Sequence, residues 1–165
     1  MTMTADDLKP FCAEEGATIR TFMEQAWTHG PYTWATNGRI IVRVPALAEV
    51  AGNTDAANAE VLLEKTAPPK EWYPVPACKT PTPIKCDWCD GTGKDPSDKR
   101  YKCFDCKGAK TMRDDKSYLR IADAAFAQRY LCLIQGWEIA PNGQNAAWIR
   151  KGDALGLLMP MPMLV

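Results

Sequence analysis

The chain of 165 residues has one histidine, His29, and no net formal charge. With one histidine, no Gly-x-Ser-x-Gly and no phosphate-cradling glycine loop, no catalytic constellation is recognisable, and no enzyme is expected. A net charge of zero argues against a surface given over wholly to nucleic acid or to an anionic membrane, though it leaves room for a local basic patch. Long apolar runs are also missing. No stretch approaches the roughly 20 residues of a membrane span, so no membrane association is expected. The opening MTMTADDLKPF has neither a basic lead nor an apolar run, so no export signal is expected and the cytoplasm is the expected location. Thiols stay reduced there, and seven cysteines point to metal ligands and buried thiols rather than disulfides.

What is present falls into three parts. Residues 1–78 and 117–165 carry core-forming patterns, whereas 79–116 hold four cysteines, many lysines and aspartates, and little that could form a core. The expected organisation is an α+β core in two halves with an inserted metal-binding lobe. Prolines at 68, 69, 74, 76, 81 and 83 make the lead into that lobe extended and unfit for the middle of a sheet.

In the first half, GATIRTFMEQAW places Ile19, Phe22, Met23 and Ala26 or Trp27 on one face at helical spacing, which predicts a helix. YTWAT and RIIVRV flank Asn37-Gly38 and predict a hairpin with a type I′ turn, φ being positive at both residues. LAEV and AEVLLEK, around a Gly-Asn-Thr-Asp break, receive no assignment.

In the second half, YLRI reads as a strand. AAFAQRYLCLI reads as a helix capped by Asp123, and GWEIA, AAWIR and ALGLLM as strands separated by PNGQN and KGD turns. Both halves run helix, strand, Asn-Gly turn, strand, and end in proline, which suggests a repeated βαββ plan. Trp27, Trp34, Trp72, Trp137 and Trp148 read as core more readily than as a ligand pocket. The terminal MPMPMLV reads as an edge strand closed by proline.

Cys86-Asp-Trp-Cys89 and Cys103-Phe-Asp-Cys106 are two CxxC pairs with 13 residues between them. Each turn lets two thiolates face one ion, and two turns complete a tetrahedral four-sulfur site with Zn–S bonds of about 2.3 Å. Four sulfurs leave no open position, so the expected cofactor is one structural zinc ion. Mononuclear iron, a redox dithiol and paired disulfides remain alternatives for the same cysteines. A thioredoxin-like dithiol would need a single CxxC on a βαβ scaffold. Cys78 lies eight residues before Cys86 and is a further candidate ligand, and Cys132 reads as a core thiol. Because the lobe is poor in large apolar residues, metal binding is expected to supply its folding free energy.

Cys86-Asp-Trp-Cys89-Asp-Gly91-Thr-Gly93 matches the CxxCxGxG repeat of the DnaJ-type cysteine-rich zinc domain. Cys103-Phe-Asp-Cys106-Lys-Gly108-Ala-Lys110 matches it except at the last glycine. The resemblance covers about 25 residues and implies a zinc hairpin with two repeats and one ion. It does not carry co-chaperone activity, since no His-Pro-Asp is present. YTWATNGRIIVRVP and GLLMPMPML resemble, more loosely, the hairpin and closing segment of bacterial sliding-clamp (DNA polymerase III β-subunit) domains. That resemblance implies a clamp-like domain of two βαββ(β) halves. Such clamps ring DNA with about six domains, so one chain would have to self-associate. Arg20 beside Glu24, and Arg129 beside Asp123, would make a thin positive lining for phosphates.

These readings lead to a non-enzymatic zinc protein acting through protein–protein contacts, with replication or host-defence machinery as candidate partners; the combination resembles products of phage or mobile elements. The alternative is DNA or RNA binding through the lobe. Residues 79–116 contain ten Lys or Arg against seven Asp and are net +3. Lys94, Lys99, Arg100, Lys102, Lys107 and Lys110, with Trp88, Tyr101 and Phe104, could present a basic, aromatic surface. A solvated hairpin whose aromatics merely cover the metal is the plainer account.

Overall fold

The structure is a computed structural model and describes residues 2–53 and 59–162. Its strands are β1 (Trp27–His29), β2 (Tyr32–Thr36), β3 (Ile40–Pro45), β4 (Tyr73–Pro74), β5 (Ile84–Lys85), β6 (Thr111–Met112), β7 (Tyr118–Ile121), β8 (Ala124–Ala127), β9 (Glu138–Asn142), β10 (Asn145–Lys151) and β11 (Ala154–Leu158). The helices are short: α1 (Ala5–Leu8), α2 (Glu60–Lys65) and α3 (Gln128–Leu133). The described chain is thus mixed and mostly β, compatible with an α+β class.

Seven strands make one antiparallel sheet in the order β1-β2-β3-β11-β10-β9-β4. Two three-stranded meanders, β1-β2-β3 and β9-β10-β11, meet where β3 pairs with β11, Val42 opposite Gly156. The junction is tight: a Cβ on Gly156 would lie 2.1 Å from the Ile41 carbonyl oxygen. β4 forms the outer edge beside β9, where Pro74 costs no ladder hydrogen bond, as the proline-rich composition requires.

Both sheet faces are covered, which side-chain alternation explains. Ile40, Val42, Val44, Ile149 and Leu158 face a core closed by Leu8, Phe11, Phe126 and Leu131, brought in by α1 and the 3₁₀ turn Lys9–Phe11 after it, β8 and α3. Trp34, Ile41, Trp148 and Leu157 face the opposite way, against Ala59 and Leu63 at α2. The Trp148 indole N–H donates to the Ala67 carbonyl at 2.7 Å. Trp27, Trp34, Trp137 and Trp148 are all buried, as core residues should be. The α1 helix had no assignment from sequence, although Thr4 and Asp7 make a complete capping box at its start.

The strand and hairpin expectations for β2–β3 and for β9, β10 and β11 hold. Four others need correction. Residues 16–27 are not a helix: Thr21–Glu24 form one 3₁₀ turn, Ile19 is 99% exposed, and Trp27 enters β1 opposite Trp34. The pairing of Trp27 and the burial of Met23 outweigh a helix too short to be stable alone. The β2–β3 turn centres on Gly38-Arg39. Only Gly38 has positive φ (+85°), the pattern of a II′ rather than a I′ turn. Asn37 sits before it, its Oδ1 accepting from Arg39 N–H at 3.0 Å and Ile40 N–H at 3.2 Å.

Asp123 caps no helix. It lies with Ala122 (φ +51°) in the turn of the β7–β8 hairpin, and AAFA is strand β8. All four β8 residues are buried, so packing on both sides overrides alanine's helix preference. The helix starts only at Gln128. Finally, β11 is a central strand, and residues 159–162 beyond it are not an edge strand; Met161 N–H bonds to the Ala125 carbonyl at 2.8 Å. Residues 163–165 of that segment, and 54–58 of the Gly-Asn-Thr-Asp break, lie outside the described residues. No described helix is long and apolar enough to cross a membrane.

Candidate metal centre

The cysteine lobe is carried on the two-stranded ladder of β5 and β6, Ile84 opposite Met112 and Lys85 opposite Thr111. Its lead-in is held by Gln128, whose side-chain amide donates to the Lys79 carbonyl at 2.7 Å. Its return is held by ion pairs of Arg113 with Glu14 and of Arg129 with Asp115.

Within the lobe the two knuckles repeat one backbone course. Asp90 and Lys107 both have φ +51°, Gly91 and Gly108 have +73° and +91°, and Gly93 and Lys110 have +75° and +69°. The last glycine of the motif is replaced by lysine in the second knuckle, yet Lys110 keeps the left-handed conformation. The knuckles also exchange backbone bonds reciprocally. Cys86 N–H donates to Lys110 O, and Cys103 N–H donates to Gly93 O, each at 3.0 Å. Gly93 is fixed hardest: a Cβ there would lie 2.8 Å from the Gly108 carbonyl oxygen. Its own N–H points at the Cys89 sulfur, 3.2 Å away.

This frame brings Cys86, Cys89, Cys103 and Cys106 together, all buried, with their sulfurs within 4.8 Å of one another. The geometry fits a metal. A tetrahedron with bonds of about 2.3 Å has edges of about 3.8 Å. The Cys86–Cys103 and Cys89–Cys106 sulfurs are 3.8 and 3.7 Å apart. No histidine or carboxylate joins the four sulfurs among the described residues. Burial and neighbouring thiols push the Cys103 thiol up to about 12, against the pull of the Cys106 backbone N–H. Burial opposes ionisation at Cys89 too, but there the Gly93 N–H and the other three thiols bring it down to about 6. Without a cation the four sulfurs cannot all ionise side by side; a divalent ion at their centre would favour all four thiolates.

Cys78 is not part of this site. It lies against Cys132, and Cys132 is half-buried rather than sealed in the core. That pairing had no signal in the sequence, since its members are 54 positions apart.

Lys94, Lys99, Arg100, Lys102, Lys107 and Lys110 are all exposed. Lys94 and Lys102 stand opposite each other across a backbone bridge, and Lys107 and Lys110 belong to the second knuckle. Lys99 and Arg100 occupy the tip of the hairpin, where Arg100 is clamped to Asp98 at 2.7 Å. Lys94, Lys99, Lys102, Lys107 and Lys110 have no carboxylate within 4 Å among the described residues. The aromatics do not cover the metal: Trp88, Tyr101 and Phe104 are 60, 65 and 85% exposed. On the core, a separate apolar recess of 260 Å³ is bordered by Met23, Trp27, Gly38, Ile41, Leu157 and Met159.

No protein-family model matches the chain, and no curated protein or solved structure matches it.

Proposed function

We propose that this is a non-enzymatic binding protein in which one structural zinc ion, held by Cys86, Cys89, Cys103 and Cys106, shapes a lobe that docks onto a protein partner. The observation that carries the reading is the exposure of Trp88, Tyr101 and Phe104 on a lobe with no apolar core of its own. Large aromatics held out into water on a metal-fixed frame are expensive in a solitary protein and typical of contact anchors, each worth about 2 kcal/mol or more when buried by a partner. Zinc would act by fixing this frame, and four sulfurs leave it no open position for substrate.

The arrangement of the core supports the clamp-like reading in one respect. Two three-stranded meanders, one entered from a 3₁₀ turn and the other from α3, join antiparallel through β3 and β11. On this reading the core at 1–78 and 117–165 is the scaffold and 79–116 the contact lobe, and partners drawn from replication or host-defence machinery remain the expectation.

The test is a comparison of wild type with the triple variant Trp88→Ser, Tyr101→Ser, Phe104→Ser, both zinc-loaded. Proteins captured from a host lysate should be lost from the variant while its metal content stays the same. Equal capture by the two proteins, or cross-links mapping to the recess beside Met159, would overturn the assignment to the lobe.

A second reading, DNA or RNA binding, draws on the opposed Lys94 and Lys102 and their unpaired neighbours. The charge of the metal site weighs against it. Four thiolates and a divalent ion contribute −2 and take the lobe from +3 to +1. Labelled single- and double-stranded DNA and RNA should therefore bind weakly even at low salt. Tight, steeply salt-dependent binding that Lys99→Ala, Arg100→Ala and Lys102→Ala abolish would favour this reading instead.

A further inference from the structure

Two thiols outside the metal centre meet at the point where the lobe's lead-in crosses the core. The Cys78 and Cys132 sulfurs are 2.8 Å apart, about an ångström closer than the facing sulfurs of the metal site. That gap has no room for an ion, and no third ligand joins the pair among the described residues. A disulfide bond of about 2.05 Å is reached from it by less than an ångström of closure. We propose that Cys78 and Cys132 form a reversible disulfide, a redox-sensitive staple that fastens the lead-in of the metal lobe to α3.

The surroundings divide the two roles. Burial first, then the hydrogen bond and charge of Cys132, push the Cys78 thiol up to about 12. A thiol held that high keeps its proton, so the first attack on an oxidant is assigned to its partner in the contact, Cys132. The Gln135 side-chain amide nitrogen, with two protons to share, lies 3.3 Å from the Cys78 sulfur, 3.1 Å from the Pro76 carbonyl and 3.0 Å from the Leu131 carbonyl. It positions Cys78 from both sides of the crossing.

With a small-molecule disulfide such as glutathione disulfide as oxidant, the Cys132 thiolate attacks one of its sulfurs. The S–S bond breaks, and the first small thiolate leaves with the Cys132 proton. Cys78 then attacks the Cys132 sulfur of the mixed disulfide, and the second small thiolate leaves with the Cys78 proton. Two protein thiols are oxidised to one disulfide, and one small disulfide is reduced to two thiols. The new bond closes a loop that contains the whole metal lobe and fixes residue 78 on α3, eight residues before the first metal-site cysteine. The metal-site cysteines are buried and take no part.

The experiment treats the zinc-loaded full chain with graded ratios of oxidised to reduced glutathione and reads intact mass and a non-reducing peptide map. Loss of two hydrogens, a Cys78–Cys132 cross-linked peptide, unchanged zinc content and slower tryptic cleavage after Lys79 are expected. Cys78→Ser should stop at the mixed disulfide on Cys132, and Cys132→Ser should form neither species. The staple is overturned if wild type accumulates only mixed disulfides, if its cross-link joins other cysteines, or if no cross-link forms. Because wild type alone gives the deciding readout, a variant that fails to fold does not rescue the proposal.

Discussion

Gly93 and Lys110 occupy equivalent places in the two knuckles with nearly the same φ, so substitutions there should act in opposite directions. In Gly93→Ala the new Cβ would have to sit 2.8 Å from the Gly108 carbonyl oxygen and 3.1 Å from Lys110 Cγ, at φ +75°. The left-handed conformation alone costs about 1–2 kcal/mol for an alanine. The clash is with backbone and cannot be relieved by a rotamer change. Any shift of residue 93 strains the bond from Cys103 N–H to its carbonyl and the bond from its own N–H to the Cys89 sulfur, about 1 kcal/mol more. The total is about 2–3 kcal/mol. With folding of the lobe coupled to metal binding, as proposed, this would appear as zinc affinity lower by about 30- to 150-fold. Lys110→Gly removes the conformational strain without touching the bond that Lys110 O accepts from Cys86 N–H, and should raise affinity about fivefold. Competition for zinc with a chromophoric chelator measures both. If Gly93→Ala binds zinc within about twofold of wild type, or Lys110→Gly binds it more weakly, the account of the knuckles is wrong.

Stripping the zinc with a chelator should abolish amide protection across residues 86–110 while the strands from β1 to β4 and from β9 to β11 keep theirs; loss across the whole sheet would show that lobe and core fold as one. Zinc affinity should also depend on pH. Cys103 is pushed up to about 12, and Cys86 is raised as well, since burial and neighbouring thiols outweigh the Cys89 backbone N–H. Thiols held high must give up their protons to ligate the ion, so affinity falls steeply as pH falls. A pH-independent affinity would exclude thiolate ligation. Gly156→Ala should destabilise the core by about 3 kcal/mol or more, because β3 and β11 must part to admit a Cβ placed 2.1 Å from the Ile41 oxygen. Urea unfolding followed by tryptophan fluorescence reads this, and a loss below about 1 kcal/mol would mean that the meanders do not meet so closely.

The cysteine spacing was enough to pick out four cysteines positioned to bind one metal ion, because a CxxC turn is a local structure and two of them need only come face to face. The β2–β3, β9–β10 and β10–β11 hairpins were legible for a similar reason: each joins strands adjacent in sequence, through a turn with glycine first. Even there the sequence left the turn one residue out of place, since Asn-Gly fits both the I′ and II′ patterns. Packing decided the rest. AAFA carries no alternation because β8 is buried throughout, and the helical spacing of Ile19, Phe22 and Met23 yielded to the pairing of Trp27 with Trp34. The joining of β3 to β11, the exposure of Trp88 and Phe104, and the meeting of Cys78 with Cys132 are contacts or surfaces assembled from distant segments. Local propensity sets which turns and strands can form; only the burial of both sheet faces selects which distant residues meet.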